Sequence, residues 1–134
     1  MAKKSTNVEV EGIVSRIRSG ERQDVIILLV PSHDNKNKLI NNQEAWAEAA
    51  MELFKDLYGG ATAFLTFAGI YLADDGTTLH DRPILVESYA SRENLEDKGR
   101  LTQLVEFMKR MGRETKQASV AVVINDVFHE VKEF

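Results

Sequence analysis

At 134 residues, the chain is long enough to bury one sizeable core, and 43% hydrophobic with 28% charged is globular composition, neither disordered nor fibrous. A formal charge of -4 supplies no global field for nucleic acid or an anionic membrane, so any such contact has to be local. The lack of cysteine excludes disulfides, thiolate metal sites and a cysteine nucleophile.

The opening MAKKSTNVEVEG is basic but carries no apolar run, so it does not read as a signal peptide, and no later run is long enough to span a membrane. A cytoplasmic protein is expected, with residues 1–6 a disordered tail and residues 7–134 a single α+β domain. Val8 to Arg18 alternates loosely and reads as an additional N-terminal strand. Val25 to Val30 is six apolar residues ended by Pro31, the pattern of a strand buried on both faces.

Ser32 to Asn42 is polar loop. Asn41-Asn-Gln-Glu44 then has capping-box spacing, and Trp46, Ala49, Ala50, Leu53, Phe54 and Leu57 make the apolar stripe of an amphipathic helix ended by Gly59-Gly60. Ala61 to Leu72 and Pro83 to Tyr89 read as two strands joined through an Asp75-Gly76 turn. A second helix is predicted from about Asn94 to Met111, with Leu101, Leu104, Val105, Met108 and Met111 on one face and Gly112 as its cap. Ser119 to Ile124 is a strand, and Asn125-Asp126 turns it into a terminal arm over Phe128 to Val131.

This order predicts a ferredoxin-like two-layer sandwich, βαββαβ, with two helices covering one face of an antiparallel sheet. Ile84 and Val86 then share one face, and Leu85, Glu87 and Tyr89 the other. Both faces carry large apolar groups while only one is covered by helices. The second face is therefore expected to associate, as a homodimer or with a partner subunit, unless the N-terminal strand and terminal arm fold over it.

Candidate chemistry is sparse. Asp74, Asp75, Asp81 and Glu87 flank the central strands, and paired strand acids hold a divalent metal in restriction-type nucleases. Those enzymes want a lysine two residues after the glutamate, where this chain has Tyr89. The bland alternative is turn chemistry at Asp74-Asp75-Gly76, so Glu87, Asp75 and Asp81 are catalytic only if the protein is an enzyme. Glu87 is expected to find a partner such as Arg82 or Arg113. His33, His80 and His129 are scattered with no metal-ligand spacing; no nucleophile elbow, dinucleotide fingerprint or P-loop is present. No metal or other cofactor is expected.

Lys109, Arg110, Arg113 and Lys116 cluster at the end of the second helix, where cations offset the negative end of the helix dipole. The sharper alternative is a phosphate or nucleic-acid contact, but the aromatic interleaving of single-strand binders is missing. Tyr58-Gly-Gly-Ala-Thr62 after a Gln-Glu-x-Trp helix, Gly69-Ile-Tyr71, Asp75-Gly76, Val86-Glu87-Ser88-Tyr89 and Met111-Gly-Arg-Glu114 with Gln117 resembles a group of small uncharacterised bacterial proteins over residues 25–128. Lys116 and Ala118 stand where that group has asparagine and glycine. The resemblance implies the fold and picks out Arg113, Glu114 and Gln117; it supplies no activity.

The expected role is therefore a small cytoplasmic binding, regulatory or accessory protein that works through its sheet. Lys109, Arg110, Arg113, Glu114, Gln117 and Tyr89 are its candidate binding residues. A metal-dependent phosphodiesterase or nuclease and a nucleic-acid-binding module are the alternatives.

Overall fold

The computed structural model describes residues 10–13, 20 and 22–134. In chain order these form β1 (Arg22–Val30), α1 (Gln43–Tyr58), β2 (Thr62–Leu65), β3 (Gly69–Leu72), β4 (Thr78–Asp81), β5 (Ile84–Ser91), α2 (Arg92–Glu96), α3 (Lys98–Glu114), β6 (Val120–Ile124) and β7 (Val127–Val131). Five strands make one sheet in the order β2-β5-β1-β6-β7, every neighbouring pair antiparallel. The remaining two, β3 and β4, form a separate two-stranded ribbon.

The apolar run at β1 does set the centre of the sheet, but with one face closed rather than two. Ile26, Leu28 and Val30 are fully buried under the helices, while Val25, Ile27 and Leu29 between them are only half-buried. Ile84, Val86, Val120 and Val122 extend the closed face, and Phe54, Tyr58, Met108 and Met111 pack onto it from α1 and α3. Trp46 of α1 meets Phe107 of α3 edge-on at 5.7 Å, which joins the two helices.

Several local expectations change. The N-terminal strand expected over Val8 to Arg18 is helical at residues 10–13, and its other positions, like the tail at 1–6, lie outside the described residues. No side chain caps α1: its N-cap Asn42 makes no such bond, and the Gln43 amide instead donates to Val30 O and Arg82 O. The helix start is thus pinned to two strand ends, which replaces a capping box. Gly59 does end α1, at φ 99°, the left-handed conformation in which a side chain would be strained.

The second helix breaks in two at Asp97, which is extended and whose carboxylate caps α3 by accepting from Arg100 N–H. Phe107, rather than Val105, then faces the core, and α3 runs through Gly112 to Glu114. Gly112 is no cap. A Cβ there would collide with the Phe134 ring, so glycine lets the C-terminal aromatic pack on the helix. The turn out of α3 falls on Lys116, at φ 53°.

Asn125 and Asp126, both at positive φ, make the tight turn into β7. Because β7 pairs with β6 as an edge strand, the terminal arm widens the sheet and does not fold over its outer face. At the far end of β1, the buried Asp24 carboxylate takes two bonds from Arg92 at 3.0 and 2.8 Å and one from Asn125 at 2.7 Å. A buried carboxylate needs that full set of donors.

Candidate functional site beneath the ribbon

The long hairpin expected between Ala61 and Tyr89 splits. β2 pairs with β5 only as far as Leu65↔Ile84, where Thr66 donates its hydroxyl to Pro83 O and the chain leaves the sheet. Proline has no N–H to continue the ladder. The following residues pair among themselves as β3 and β4, closed by the Asp75-Gly76 turn, with Asp75 accepting from Thr77 N–H and held below the usual carboxylate range by bonds from Thr77.

Two polar residues of the 32–42 loop tie the ribbon down. Asn37, itself at φ 60°, donates to Thr78 O and accepts from His80 N–H, and so acts as a substitute strand edge for β4. Ser32 is buried, and both its N–H and its hydroxyl donate to Asp81 Oδ1 at 2.7 Å. Its oxygen accepts from Arg82 N–H at 2.8 Å and lies 2.6 Å from His33 Nδ1. With the single hydroxyl proton given to Asp81, the His33 contact requires an Nδ1–H donor.

The space between the ribbon and the outer sheet face is a cleft of about 690 Å³. Leu29 and Phe128 line it from the sheet, Ile70, Tyr71 and Leu72 from the ribbon, and His33, Asp34 and Gln117 from the loops between. Burial first, then the Asp81 charge, pushes the Tyr71 phenol above the usual tyrosine range. Backbone N–H groups of Lys38 and Lys36 hold the Asp34 carboxyl below its ordinary value. Lys132 of the C-terminal segment reaches Asp74 across the cleft at 3.6 Å.

The residues singled out in the sequence are not brought together. Asp75 sits at the ribbon turn, Asp81 is bonded to Ser32, and Glu87 lies on the five-stranded sheet in the row Thr62, Glu87, Ile27, Val123, Phe128. Among the described residues no group of three His, Cys, Asp or Glu is placed to hold a metal ion. Glu87 pairs with neither Arg82 nor Arg113: no described residue bonds or ion-pairs its carboxylate, which stays half-buried beside the exposed Tyr89 row.

At the end of α3, Arg110 lies over the Trp46 ring at 5.2 Å and pairs with Glu114 at 3.7 Å, a packing role. Gln117 joins the α3 end to the loop, its amide donating to His33 O and Thr115 O and its N–H to Gly112 O. Arg113 is exposed, and Lys109 is half-buried.

Two solved structures of a phage SAM lyase, one in complex with S-methyl-5'-thioadenosine and one in the apo state, resemble this chain at TM-score 0.62 and 16% identity, over 86% of this chain and 93% of theirs. The likeness is one of fold. It is a mixed α+β fold with an antiparallel sheet and helices. No protein-family model matches the chain, and no curated protein does. Among the described residues, no helix is long and apolar enough to cross a membrane.

The Ser32–Asp81 contact was invisible in sequence because 49 residues separate its partners. Its only local sign is a polar residue directly after the Val-Pro end of a buried strand, where a burial-matched partner is needed.

Proposed function

We propose that this chain is a small cytoplasmic binding or accessory protein that works as an assembly, with the outer sheet face of one copy covered by a second copy. The observation that carries this is an apolar surface that the described residues of one chain leave open. Phe67 is 96% exposed, Leu65 86%, Leu72 79% and Ile70 70%, and the ribbon that carries Ile70 and Leu72 borders the same cleft as Leu29 and Phe128 of the sheet. Aromatic side chains bury about 150–250 Å² each when fully covered. Finishing the burial of Phe64, Phe67, Tyr71, Tyr89 and Phe128 with those aliphatic groups approaches the scale of about 800 Å² per partner of a stable interface. A chain that exposes both an apolar ribbon and an apolar sheet face supplies both halves of such a contact.

The same proposal assigns the core as ferredoxin-like. The order β6-β1-β5-β2, with α1 in the first crossover and α2 and α3 in the second, supports it, and the ribbon, α2 and β7 are then additions. It also places the chain beside the small bacterial proteins that share the GGAT turn and the M-G-R-E-x-x-Q segment. Sedimentation equilibrium tests the association. Wild type is expected at a multiple of 15.1 kDa, and Ile27→Glu at the single-chain mass with its fold intact; a wild type that stays single at every concentration refutes it.

One observation favours a second, more specific reading, that the open face takes an adenosyl compound of the kind the phage lyase acts on or holds. No described residue pairs with the Glu87 carboxylate, which lies among Ile27, Leu85 and Thr62, with Tyr89 two residues on. A carboxylate that accepts from a ribose diol, beside a ring on which a purine stacks, suits that ligand. Incubation with S-adenosylmethionine, with chromatography for S-methyl-5'-thioadenosine, tests it: product from wild type and none from Glu87→Gln supports the reading, and no product and no binding from either defeats it.

A further inference from the structure

The hydrogen-bonded chain of Ser32, Asp81 and His33 beside the cleft is a different device from the association argued above, although the cleft walls Tyr71 and Phe128 belong to both. Ser32 is 3% exposed and cannot serve as a nucleophile, since its proton goes to Asp81 and its lone pairs are taken by Arg82 N–H and His33 Nδ1–H. His33, half-buried and on the cleft wall, is the end of this chain that a ligand can meet. In the neutral ring, with its proton on Nδ1, Nε2 carries a lone pair, and no described residue bonds it.

The surroundings select the ligand. Five carboxylates, Asp34, Asp74, Asp75, Asp81 and Glu130, line the cleft against one lysine, Lys132, so the net charge of this one space equals the -4 of the whole chain. These acids are not placed to ligate a metal, and two of them are engaged by local N–H groups, so they act as a field rather than as ligands. The walls between them, Tyr71 and Phe128, are aromatic. An acceptor nitrogen, a negative field and aromatic walls suit an ammonium donor on an apolar body.

We propose that His33 Nε2 is the acceptor of a small-molecule site in this cleft, with Ser32 and Asp81 as positioning residues that hold the Nδ1–H tautomer, and that the site takes an organic ammonium compound with an apolar body. Tyramine is the probe, and N-acetyltyramine, of the same body without the charge, its control. Long-range proton–nitrogen spectra of the full chain are expected to show His33 as the Nδ1–H tautomer. Tyramine is expected to move the His33 Nε2 resonance, leave that of His129 in place, and bind at least about tenfold more tightly than the control, the scale of one charge-assisted hydrogen bond. Ser32→Ala should let His33 change tautomer and weaken tyramine about tenfold. Because that residue is buried, His33→Leu, at a half-buried position, gives a second variant, and it should abolish the preference for the charged probe while the melting temperature is retained. An Nε2–H tautomer in wild type, equal binding of the two probes, a His33 resonance that ignores tyramine, or a preference that survives in His33→Leu would each overturn the proposal.

Discussion

Along β1 the side chains alternate between two environments. Ile26, Leu28 and Val30 are fully enclosed by α1 and α3; Val25, Ile27 and Leu29, of the same chemical kind, stop at half-burial. The contrast runs across the sheet, Val86 and Val122 against Leu85 and Val123. What differs between the faces is the supply of cover: the described residues form two long helices, and both crossovers place them on one side. The inner face is a finished core and the outer face an unfinished one, and the experiments below separate the two.

The largest effect belongs to the inner face. Phe54→Ala empties a fully buried aromatic site and is expected to cost about 3–5 kcal/mol in denaturant unfolding. Ile27→Ala on the outer face should cost about 1 kcal/mol in the dissociated chain. Equal losses at the two positions would erase the distinction between the faces.

At the edge of the inner face, Arg92 is exposed while the Asp24 that it clamps is buried. Arg92→Met removes the charged partner and strands the carboxylate, so it is expected to cost about 3 kcal/mol, and Asp24→Asn less, because the amide carries no charge to strand. Thermal unfolding of the pair checks the order.

Smaller is Gly112→Ala, expected at about 1–3 kcal/mol from overpacking against Phe134. In a Phe134→Ala background the penalty should vanish, and a double-mutant cycle reads that coupling.

The smallest effect has the opposite sign. No described residue hydrogen-bonds the buried Tyr58 hydroxyl, so Tyr58→Phe should stabilise by about 1 kcal/mol. Burial, opposed by the Arg100 charge, raises its phenol above the usual tyrosine range. The unfolded chain therefore ionises first: the tyrosine's contribution is full below about pH 10 and is lost as pH rises through the higher folded value. The variant should flatten that alkaline decline in a stability–pH series.

The inner face was legible in sequence because it is periodic. The β1 run, the Trp46-to-Leu57 stripe, the Gly59 cap and the Asn125-Asp126 turn each follow from spacing within a few residues. What sequence missed is decided by contacts between distant residues. Gly112 looks like a cap until Phe134 is seen against it, and a helix that reads as continuous breaks where Asp97 caps from its own side chain. The ribbon leaves the sheet because Pro83 cannot extend the ladder, and it is held by Asn37 and Ser32 of a loop whose composition said only that it was polar. Of the candidate site residues, Gln117 was picked out without a partner and bonds His33 O and Thr115 O, whereas Arg113 was matched to Glu87 and does not reach it.

The contrast between the faces is tested most directly by solvent paramagnetic relaxation of methyl groups in the native protein at high concentration. The account predicts that Ile27, Leu29 and Val123 are shielded nearly as well as Ile26, Leu28 and Val122, that dilution exposes only the first set, and that Ile27→Glu exposes Leu29 and Val123 alone. Outer-face methyls fully relaxed by the probe in the undiluted wild type would contradict it.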